Sequence, residues 1–561
     1  MPAKLSSPIS AVDWKALYIS RHLVDCATSQ LLDSILTSQA GRIEKFQSVI
    51  NLGYDAKDTL LRHISIDSAA EDYLARRFVA SVCPLEFPLF LTLTSSTGTS
   101  YYAQALLTCL HRSIAIPEWA RLRSDDAVPL IRALGAFDLF IPESGYGNID
   151  EIKIRLNGIA SRLSLNYPDI GKLSVRKRAK IIATYLRANN LTGIEPGREY
   201  HCLAHNFLGI ALNDPGHNSL PLVSAAIYCH VAQRLGLNAR PCGFPFHVHV
   251  IIMPPAGSDV DGNFVSANIR GEPIYMDPFR TDNETPVAEL RSQLNFLGAS
   301  PMEQTTFLDE SWTSEIVLRC SKNILNSVQR ITQFPRAQLI PVDVVCAKYA
   351  ALWSCLLLSD PSRPAELRHP LLGLMELLAT DFPSDIYLIE QYIAPIFHDT
   401  LEFEHIRENL HIIRRVDEIP KQVKQRSPEH KGVIYRVGQV FRHRRYNYTA
   451  IITGWDAECG AGDDWMRRMG IDRLQSGRHQ SFYHVMCVGP FSFAIGILTF
   501  LPQSVEDKNV RYVAEENIQA ISPDISELPP TLVAIAGKYF KRWDEVRREF
   551  VSNIKDEYPD D

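Results

Sequence analysis

The stretch that decides the fold runs from Ser219 to Leu237 and reads Ser-Leu-Pro-Leu-Val-Ser-Ala-Ala-Ile-Tyr-Cys-His-Val-Ala-Gln-Arg-Leu-Gly-Leu. It predicts an apolar helix that begins at Pro221, because proline suits a first helical turn, and that ends near Gly236. His247 follows in a segment of strand formers, and Asp277 comes next in an Asp-Pro turn. A helix start, then His, then Asp is the chain order of a catalytic site built from a thiol, an imidazole and a carboxylate.

The nucleophile of such a site lies at the helix N-terminus, where the helix dipole and a neighbouring imidazolium favour the thiolate. Folds of this kind commonly place it fifteen residues before the glycine that ends the helix, and that position is Pro221. Proline has no nucleophilic atom. Pro221, His247 and Asp277 are therefore predicted to form a relic site without a catalytic residue. His249 shares the strand face of His247 and is a second candidate for whatever that face contacts.

Other side chains near the helix are alternative nucleophiles. Cys229 lies about 12 Å into the helix at a rise of about 1.5 Å per residue, and it shares the apolar stripe, which favours a core position. Ser219 is better suited to cap the helix than to attack a substrate. Cys202 and Cys242 flank the helix, and only the fold decides whether either reaches His247. An active thiol enzyme of the transglutaminase or protease type therefore stays an alternative.

Composition and charge fit an ordinary intracellular protein with several domains. The chain has 561 residues, 46% of them hydrophobic, and a net charge of −6, so three or four domains are expected and any basic surface must be local. The first thirty residues lack a signal pattern, and eleven scattered cysteines without a C-x-x-C pair fit reduced thiols. We expect a cytoplasmic or nuclear location, no membrane partner, no metal and no cofactor.

The apolar patterning predicts a multidomain α+β protein. The predicted regions are a helical region over 1–145, an α+β domain over 146–300, a helical extension over 301–415, a linker with two prolines over 416–432, a small β-barrel over 433–522, and a single amphipathic helix over 523–561. The buried stripe expected for that last helix consists of Leu532, Ile535, Tyr539, Trp543, Val546 and Phe550.

The predicted barrel contains a basic and aromatic cluster that is the candidate for DNA contact. Its members are Arg442, His443, Arg444, Arg445, Tyr446, Tyr448, Arg467 and Arg468. Such a set neutralises phosphates while the rings pack against sugars or bases. Residues 431–522 carry eleven Lys and Arg against nine Asp and Glu, however. A balance of +2 fits protein recognition as well as it fits DNA binding.

Residues 434–518 resemble the YccV/HspQ domain, also called the hemimethylated-DNA-binding domain. The resemblance rests on Tyr435-Arg-Val-Gly-Gln-Val440, on Ala450-Ile-Ile-Thr-Gly-Trp-Asp456 and on Gln480-Ser-Phe-Tyr-His-Val485. It implies DNA binding. No residues in the segment are arranged in a recognisable motif for reading a methylated base.

Residues from about 146 to 400 resemble the SirB-type transglutaminase-like domain with its helical, tetratricopeptide-like extension. The matching residues are Asn218-Ser219-Leu220, Pro221-Leu222, Arg234-Leu235-Gly236, Pro245-x-His247 and Asp277-Pro278-Phe279. The nucleophile position of that family is usually proline. The resemblance thus implies that the degenerate site is inherited and that the domain is a pseudoenzyme.

The two domains in this order resemble eukaryotic, notably fungal, F-box proteins with a C-terminal YccV-like domain. In these proteins the F-box precedes a segment similar to Trp14–Arg77, and the Leu-Pro-x-x-Ile-Leu pattern of an F-box is missing here. The adaptor subunit of an SCF-type ubiquitin ligase is therefore an expected partner only if an F-box lies upstream of Met1. We predict a non-catalytic recognition protein that binds DNA, or alternatively a substrate receptor or degradation adaptor that binds protein substrates.

Overall fold

The computed structural model describes residues 13–65, 97–124, 126–145, 147–266, 270–333, 342–360, 363–426, 432–487 and 510–561. The fold is mixed, with helices throughout the N-terminal and central regions and antiparallel sheets in two places. This confirms the predicted fold class. The chain forms two compact units. One comprises Met1–Leu110, Leu378–Glu390 and Phe397–Asp561, and the other comprises His111–Leu377 and Gln391–Ile396.

The described helices are, in chain order, α1 (Trp14–Thr37), α2 (Arg42–Asn51), α3 (Lys57–Ser65), α4 (Thr97–Arg123), α5 (Leu130–Asp138), α6 (Ile149–Asn166), α7 (Val175–Ala188), α8 (Leu208–Asn213), α9 (Pro221–Arg234), α10 (Val287–Phe296), α11 (Pro301–Leu308), α12 (Thr313–Gln333), α13 (Val344–Leu358), α14 (Pro364–Thr380), α15 (Ile386–Leu388), α16 (Leu401–Glu418), α17 (Asp463–Met469) and α18 (Pro530–Ala536). Within the described part of the chain, none of them combines the length and apolar character that crossing a bilayer requires.

The described strands are β1 (Asn238–Pro241), β2 (Val250–Met253), β3 (Ile274–Met276), β4 (Glu284–Thr285), β5 (Val440–His443), β6 (Thr449–Asp456), β7 (Phe482–Cys487), β8 (Val510–Ala514), β9 (Ile518–Ala520), β10 (Phe540–Asp544) and β11 (Glu549–Ser552). All described pairs are antiparallel. They form a sheet of order β1-β2-β3-β4, a sheet of order β8-β7-β6-β5-β9 and the hairpin β10-β11.

The helix α9 organises the unit that contains the first sheet. Pro221 occupies its first position, where the missing N–H would have had no partner within the helix. Gly236 ends it with a φ of 79°, and Leu237 N–H donates to Ala232 O at 3.0 Å, which is a glycine C-cap. The predicted limits of the helix are thus confirmed. The residues between Pro221 and Ala232 are almost all buried, so the helix lies inside its unit.

The helices α1 to α3 share an apolar core in the other unit, around Leu32, Phe46 and Leu60. Asp417 of α16 closes the start of α2, because its carboxylate accepts from Ile43 N–H at 3.0 Å and its carbonyl accepts from Gly41 N–H at 2.9 Å. The part of the predicted N-terminal helical region between residues 66 and 96 lies outside the described residues.

The predicted linker over 416–432 is wrong at its start, since α16 continues to Glu418. Beyond the helix, residues 420–426 have no regular secondary structure, and contacts with the C-terminal residues hold them in place. Lys424 N–H donates to Glu557 O at 2.7 Å, and Arg426 pairs with Asp561 at 2.5 Å. Residues 427–431 lie outside the described residues.

The prediction of one amphipathic helix over 523–561 is also wrong. Helix α18 ends at Ala536, and the chain then forms the hairpin β10-β11. Asp544 makes the turn, because its carboxylate accepts from the N–H groups of Val546 and Arg547 at 3.0 Å. Val546 is 95% exposed rather than part of a buried stripe.

The hairpin completes the core of the five-stranded sheet, in which Phe540, Trp543 and Phe550 pack with Val440 and Trp455. Gly438, which precedes β5, shows how closely the backbone of the hairpin approaches it. Its φ is 97°, its carbonyl accepts from Phe550 N–H at 2.9 Å, and a Cβ at this position would lie 1.9 Å from Phe550 O. The C-terminal β domain therefore extends past the predicted limit of residue 522.

Candidate functional site

The start of α9 is built by residues that are buried and hydrogen-bonded. Leu220 is the N-cap, and Ser219, which was expected to cap the helix, lies one residue earlier with its Oγ 2.7 Å from Ser224 Oγ. Leu220 N–H donates to His205 O at 3.1 Å. Pro221 thus stands at the position where a catalytic thiol would meet the helix dipole.

His247 and Asp277 are brought together as predicted from their chain order. Nε2 of His247 lies 2.9 Å from Oδ2 of Asp277, and both side chains are buried. His247 does not lie on a strand as expected, since β2 begins at Val250. It follows a turn in which its N–H donates to Pro245 O at 2.8 Å and Phe246 adopts a φ of 62°. A γ-turn with positive φ at a residue other than glycine is rare and strained.

His249 joins the pair, and its ring lies 4.9 Å from that of His247. Burial lowers the pKa of His249 to about 4, although the Asp277 carboxylate opposes that shift, so the imidazole is neutral at pH 7. Burial alone would raise the pKa of Asp277, but the contacts with its neighbours, of which His247 contributes most, together outweigh burial, and the pKa lies below its usual value. The site therefore holds one carboxylate beside a neutral imidazole.

The three cysteines considered as alternative nucleophiles, Cys202, Cys229 and Cys242, all have raised thiol pKa values. Among the described residues, no sulfur is hydrogen-bonded to His247. Cys229 is buried in α9, and burial raises the pKa of its thiol. The Cys242 thiol donates to Phe307 O at 3.1 Å, and burial raises its pKa to about 12. Burial also raises the pKa of Cys202. Thiols with raised pKa values are poor nucleophiles at neutral pH.

A cavity of about 1040 Å³ opens over the start of α9. Its wall includes Pro221 and also Phe246 and Val248, the two neighbours of His247, but not His247 itself. The lining is mixed, because four cationic side chains and two carboxylates stand among apolar residues. The cationic residues are Arg198, Arg319, Lys322 and Arg330, and the acidic ones are Glu199 and Asp214.

Two features of the cavity were missed in the sequence. The first is the outer face of α12, which contributes Lys322, Asn326, Gln329, Arg330 and Gln333, all of them exposed. Their spacing of three and four residues indicates a polar helix face, but it does not indicate that this face lines a cavity. The second is Phe246, whose ring is 87% exposed in the cavity wall. The strain at Phe246 is a property of the folded backbone, so no pattern in the sequence predicted it.

The predicted DNA-contact cluster falls into two groups. Arg442 is exposed on β5, and Arg444, Arg445 and Tyr446 are exposed in the turn before β6. His443 is buried and shapes that turn, because its Nδ1 accepts from the N–H groups of Arg445 and Tyr446. Tyr448 is partly buried against the sheet core.

Arg467 and Arg468 form the second group, on α17 after the end of β6. Arg442 pairs with Thr449 at the start of β6, whereas Trp465 of α17 packs with Phe482, the partner of Asp456 at the end of that strand. The length of β6, about 20 Å at a rise of about 3.3 Å per residue, therefore separates the two groups. Arg467 pairs with Asp464, and Arg468 Nε donates to Asp464 O at 3.3 Å. The structure thus does not bring the eight candidates to one place, and acidic neighbours offset the charge of the second group.

Two family comparisons agree with the domains described above. Residues 151–322 match the transglutaminase-like superfamily, and residues 433–547 match the family "Hemimethylated DNA-binding protein YccV like". The resemblances to a YccV-like domain and to a transglutaminase-like domain are therefore confirmed, and the tetratricopeptide-like character of the extension up to residue 400 stays a prediction. No solved structure gave a significant match.

The curated relatives carry the name "F-box only protein 21". The protein from Pongo abelii is 26% identical over 348 residues, that from Mus musculus 25% over 355 residues and that from Homo sapiens 24% over 355 residues. Each alignment covers 61% of this chain and 48–49% of the relative. The chain spans about half the length of these relatives.

Proposed function

We propose that this chain is a non-catalytic recognition protein of the substrate-receptor kind, whose transglutaminase-like domain binds an extended, acidic polypeptide segment. The observation that carries the proposal is Pro221 in the wall of a large cationic cavity, where an enzyme of this fold would carry its nucleophile. A protein partner is supported by the relatives, which are named as F-box proteins.

The chemistry of the wall favours a peptide. Asn326, Gln329 and Gln333 present amides that pair with the backbone of an extended chain. Lys322 and Arg330 on the same face attract carboxylates, and the exposed ring of Phe246 offers an apolar anchor. The volume is at the upper end for a pocket that encloses a small molecule.

Binding is tested with the full chain and two fluorescein-labelled pools of random 12-residue peptides, one rich in Asp and Glu and one rich in Lys and Arg. We expect fluorescence polarisation to show binding of the acidic pool only. Combining Lys322→Glu with Arg330→Glu should weaken it at least about tenfold, and Lys153→Glu, an exposed change outside the cavity lining, should not. Equal binding of both pools, or no effect of the double change, would overturn the proposal.

The absence of catalysis is tested by restoring a thiol. Pro221→Cys places sulfur at a helix N-terminus, which favours the thiolate, so it should react with iodoacetamide at pH 7 faster than Cys202 of the same cavity. The unchanged protein should show no acyl transfer to a small amine from an amide donor. Acyl transfer by the unchanged protein that is lost on Cys202→Ala would show an active thiol enzyme instead.

DNA binding by the YccV-like domain is the second candidate function. The family match and the exposed arginines at the β5–β6 turn favour it. We expect affinity for duplex DNA to fall with salt at a slope of roughly −0.9 per phosphate contacted. Changing Arg442 and Arg445 to Ala should flatten the slope by about two units, while Arg467→Ala, at the paired site on α17, should leave it unchanged. No binding at low salt would remove this candidate.

A further inference from the structure

The geometry points to a zinc-type metal site formed by His247, His249 and Asp277, and we propose that it binds one divalent transition cation. Each residue offers one ligand atom, and the three atoms lie within 4.8 Å of one another in a buried position. Tetrahedral zinc with bonds of about 2.0–2.1 Å needs its ligand atoms about 3.3 Å apart. His247 Nε2 and Asp277 Oδ2 are 2.9 Å apart, which is below that value, and no separation within the set exceeds 4.8 Å.

The imidazoles have unused donor atoms at this place. His247 Nε2 and His249 Nδ1 are both buried, and neither has a hydrogen-bond partner of acceptable geometry among the described residues. The approach of His247 to the carboxylate is short but does not have the alignment of a hydrogen bond. Buried polar atoms without partners are uncommon in native proteins and call for an explanation such as an ion.

The surrounding contacts orient the ligands as outer-shell partners do in metal sites. Oδ1 of Asp277 accepts from the N–H groups of Phe279 and Arg280 at 3.2 Å, which leaves Oδ2 for the ion. His249 is fixed through its carbonyl, which accepts from Cys242 N–H at 2.8 Å. An ion held here would join the loop before β2 to the turn after β3, with a fourth position left for water or a partner group.

The donor set selects the class of cation. Two imidazole nitrogens and one carboxylate suit zinc and its neighbours, whereas calcium and magnesium prefer oxygen ligands alone. Arg280 opposes binding, because its Nε lies 4.0 Å from Asp277 Oδ2, but its side chain is 63% exposed and its charge is screened by water. None of the three ligands lines the cavity over Pro221, so metal binding and peptide recognition can be tested separately.

The experiment titrates zinc into the full chain, after treatment with a chelator, in competition with a chromophoric indicator. We expect one bound equivalent and no competition by calcium or magnesium. Asp277→Asn and His249→Gln should each weaken binding more than about 100-fold, because loss of an outer-shell partner alone costs about 10–100-fold. His201→Gln, which changes an exposed histidine of the same unit, should have no effect.

Arg280→Ala tests the proposed site with a variant that should gain affinity, which an unfolded protein would not do. Removal of the nearby cation should tighten zinc binding by about threefold. Cobalt serves as a spectroscopic probe, and its bands should show nitrogen and oxygen ligands. The proposal is overturned if the protein binds no zinc, if Asp277→Asn leaves the affinity unchanged, or if the cobalt spectrum shows thiolate ligands.

Discussion

Among the histidine–aspartate pairs of the described residues, two have a carboxylate that is at least partly buried, one pair in each compact unit, and these two pairs differ in their surroundings. His247 and Asp277 approach to 2.9 Å in the transglutaminase-like domain, and His484 and Asp456 approach to 3.2 Å in the YccV-like domain. The first pair is the more deeply buried and has a second imidazole beside it. The second is partly open to solvent.

The two pairs differ in the number of hydrogen-bond donors from which the carboxylate accepts. Asp456 accepts from Tyr512 Oη at 2.7 Å and from Lys424 Nζ at 2.8 Å in addition to His484. Burial would raise the pKa of Asp456, but these hydrogen bonds outweigh it and hold the pKa far below its usual value. A fully used carboxylate is a structural clamp, whereas a buried imidazole with an unused nitrogen is available to a ligand.

The largest expected effect follows from breaking the clamp. Asp456→Asn should destabilise the β domain by about 2–3 kcal/mol, because a cationic amine and a phenol lose their shared acceptor, and partial exposure of Lys424 and His484 limits the loss. The measurement is urea-dependent labelling of the buried Cys487 in the full chain, followed by mass spectrometry. Asp464→Asn, at an exposed pair on α17, should cost less than about 1 kcal/mol. Equal losses for the two variants would contradict the comparison.

A pH titration sharpens the comparison within the β domain. Burial lowers the pKa of His443 to about 4, with Arg445 and Arg511 adding to the shift. The unfolded chain therefore binds a proton that the folded domain does not, and stability should fall by up to about 3 kcal/mol as the pH drops from 6.5 to 4. Below pH 4, protonation of Asp456 removes a further contribution, because its folded pKa is depressed.

Calorimetric melting at several pH values checks this result. His443→Asn keeps an acceptor for the turn and has no proton to gain, so its melting temperature should depend less on pH between 6.5 and 4. The same slope in the variant and the unchanged protein would show that His443 is not the group responsible.

The smallest effect is expected at the pair of His247 and Asp277. Asp277→Asn keeps the oxygen that accepts from Phe279 and Arg280 and replaces only the one that faces His247. In metal-free buffer we expect a loss of about 1 kcal/mol, since one contact is weakened rather than three. Labelling of the buried Cys229 in urea measures it, and a loss as large as that for Asp456→Asn would contradict the assigned roles.

Much of the transglutaminase-like site could be predicted from sequence because its signals are local. Proline at a first helical turn and glycine after the last turn predicted α9, and the chain order of His and Asp predicted the pair of His247 and Asp277. The wall of the cavity could not be predicted, since α12 is about a hundred residues from Pro221 in sequence. Only the tertiary packing brings α12 and Pro221 to the same cavity. His249 was noted for its alternation with His247, but its neutral, unpartnered state depends on burial.

The C-terminal errors have physical causes as well. Leu532, Trp543 and Phe550 recur at spacings that fit a helix, and the turn at Asp544–Arg548 contains no glycine, asparagine or proline to mark it. The arginine cluster was identified by residue type alone. Asp464 stands three residues before Arg467, a spacing at which opposite charges meet on a helix, and that signal was present in the sequence.

The contact between Gly438 and Phe550 has a consequence for the order in which the protein is made. Strands β5 to β9 leave the ribosome before the segment that completes their core, because the backbone of residue 550 must lie directly against residue 438. A nascent chain that ends near residue 530 would expose the apolar side chains that later pack on Phe540 and Phe550. We therefore expect the interval between the synthesis of residue 530 and that of residue 550 to be the period in which this domain depends most on chaperones.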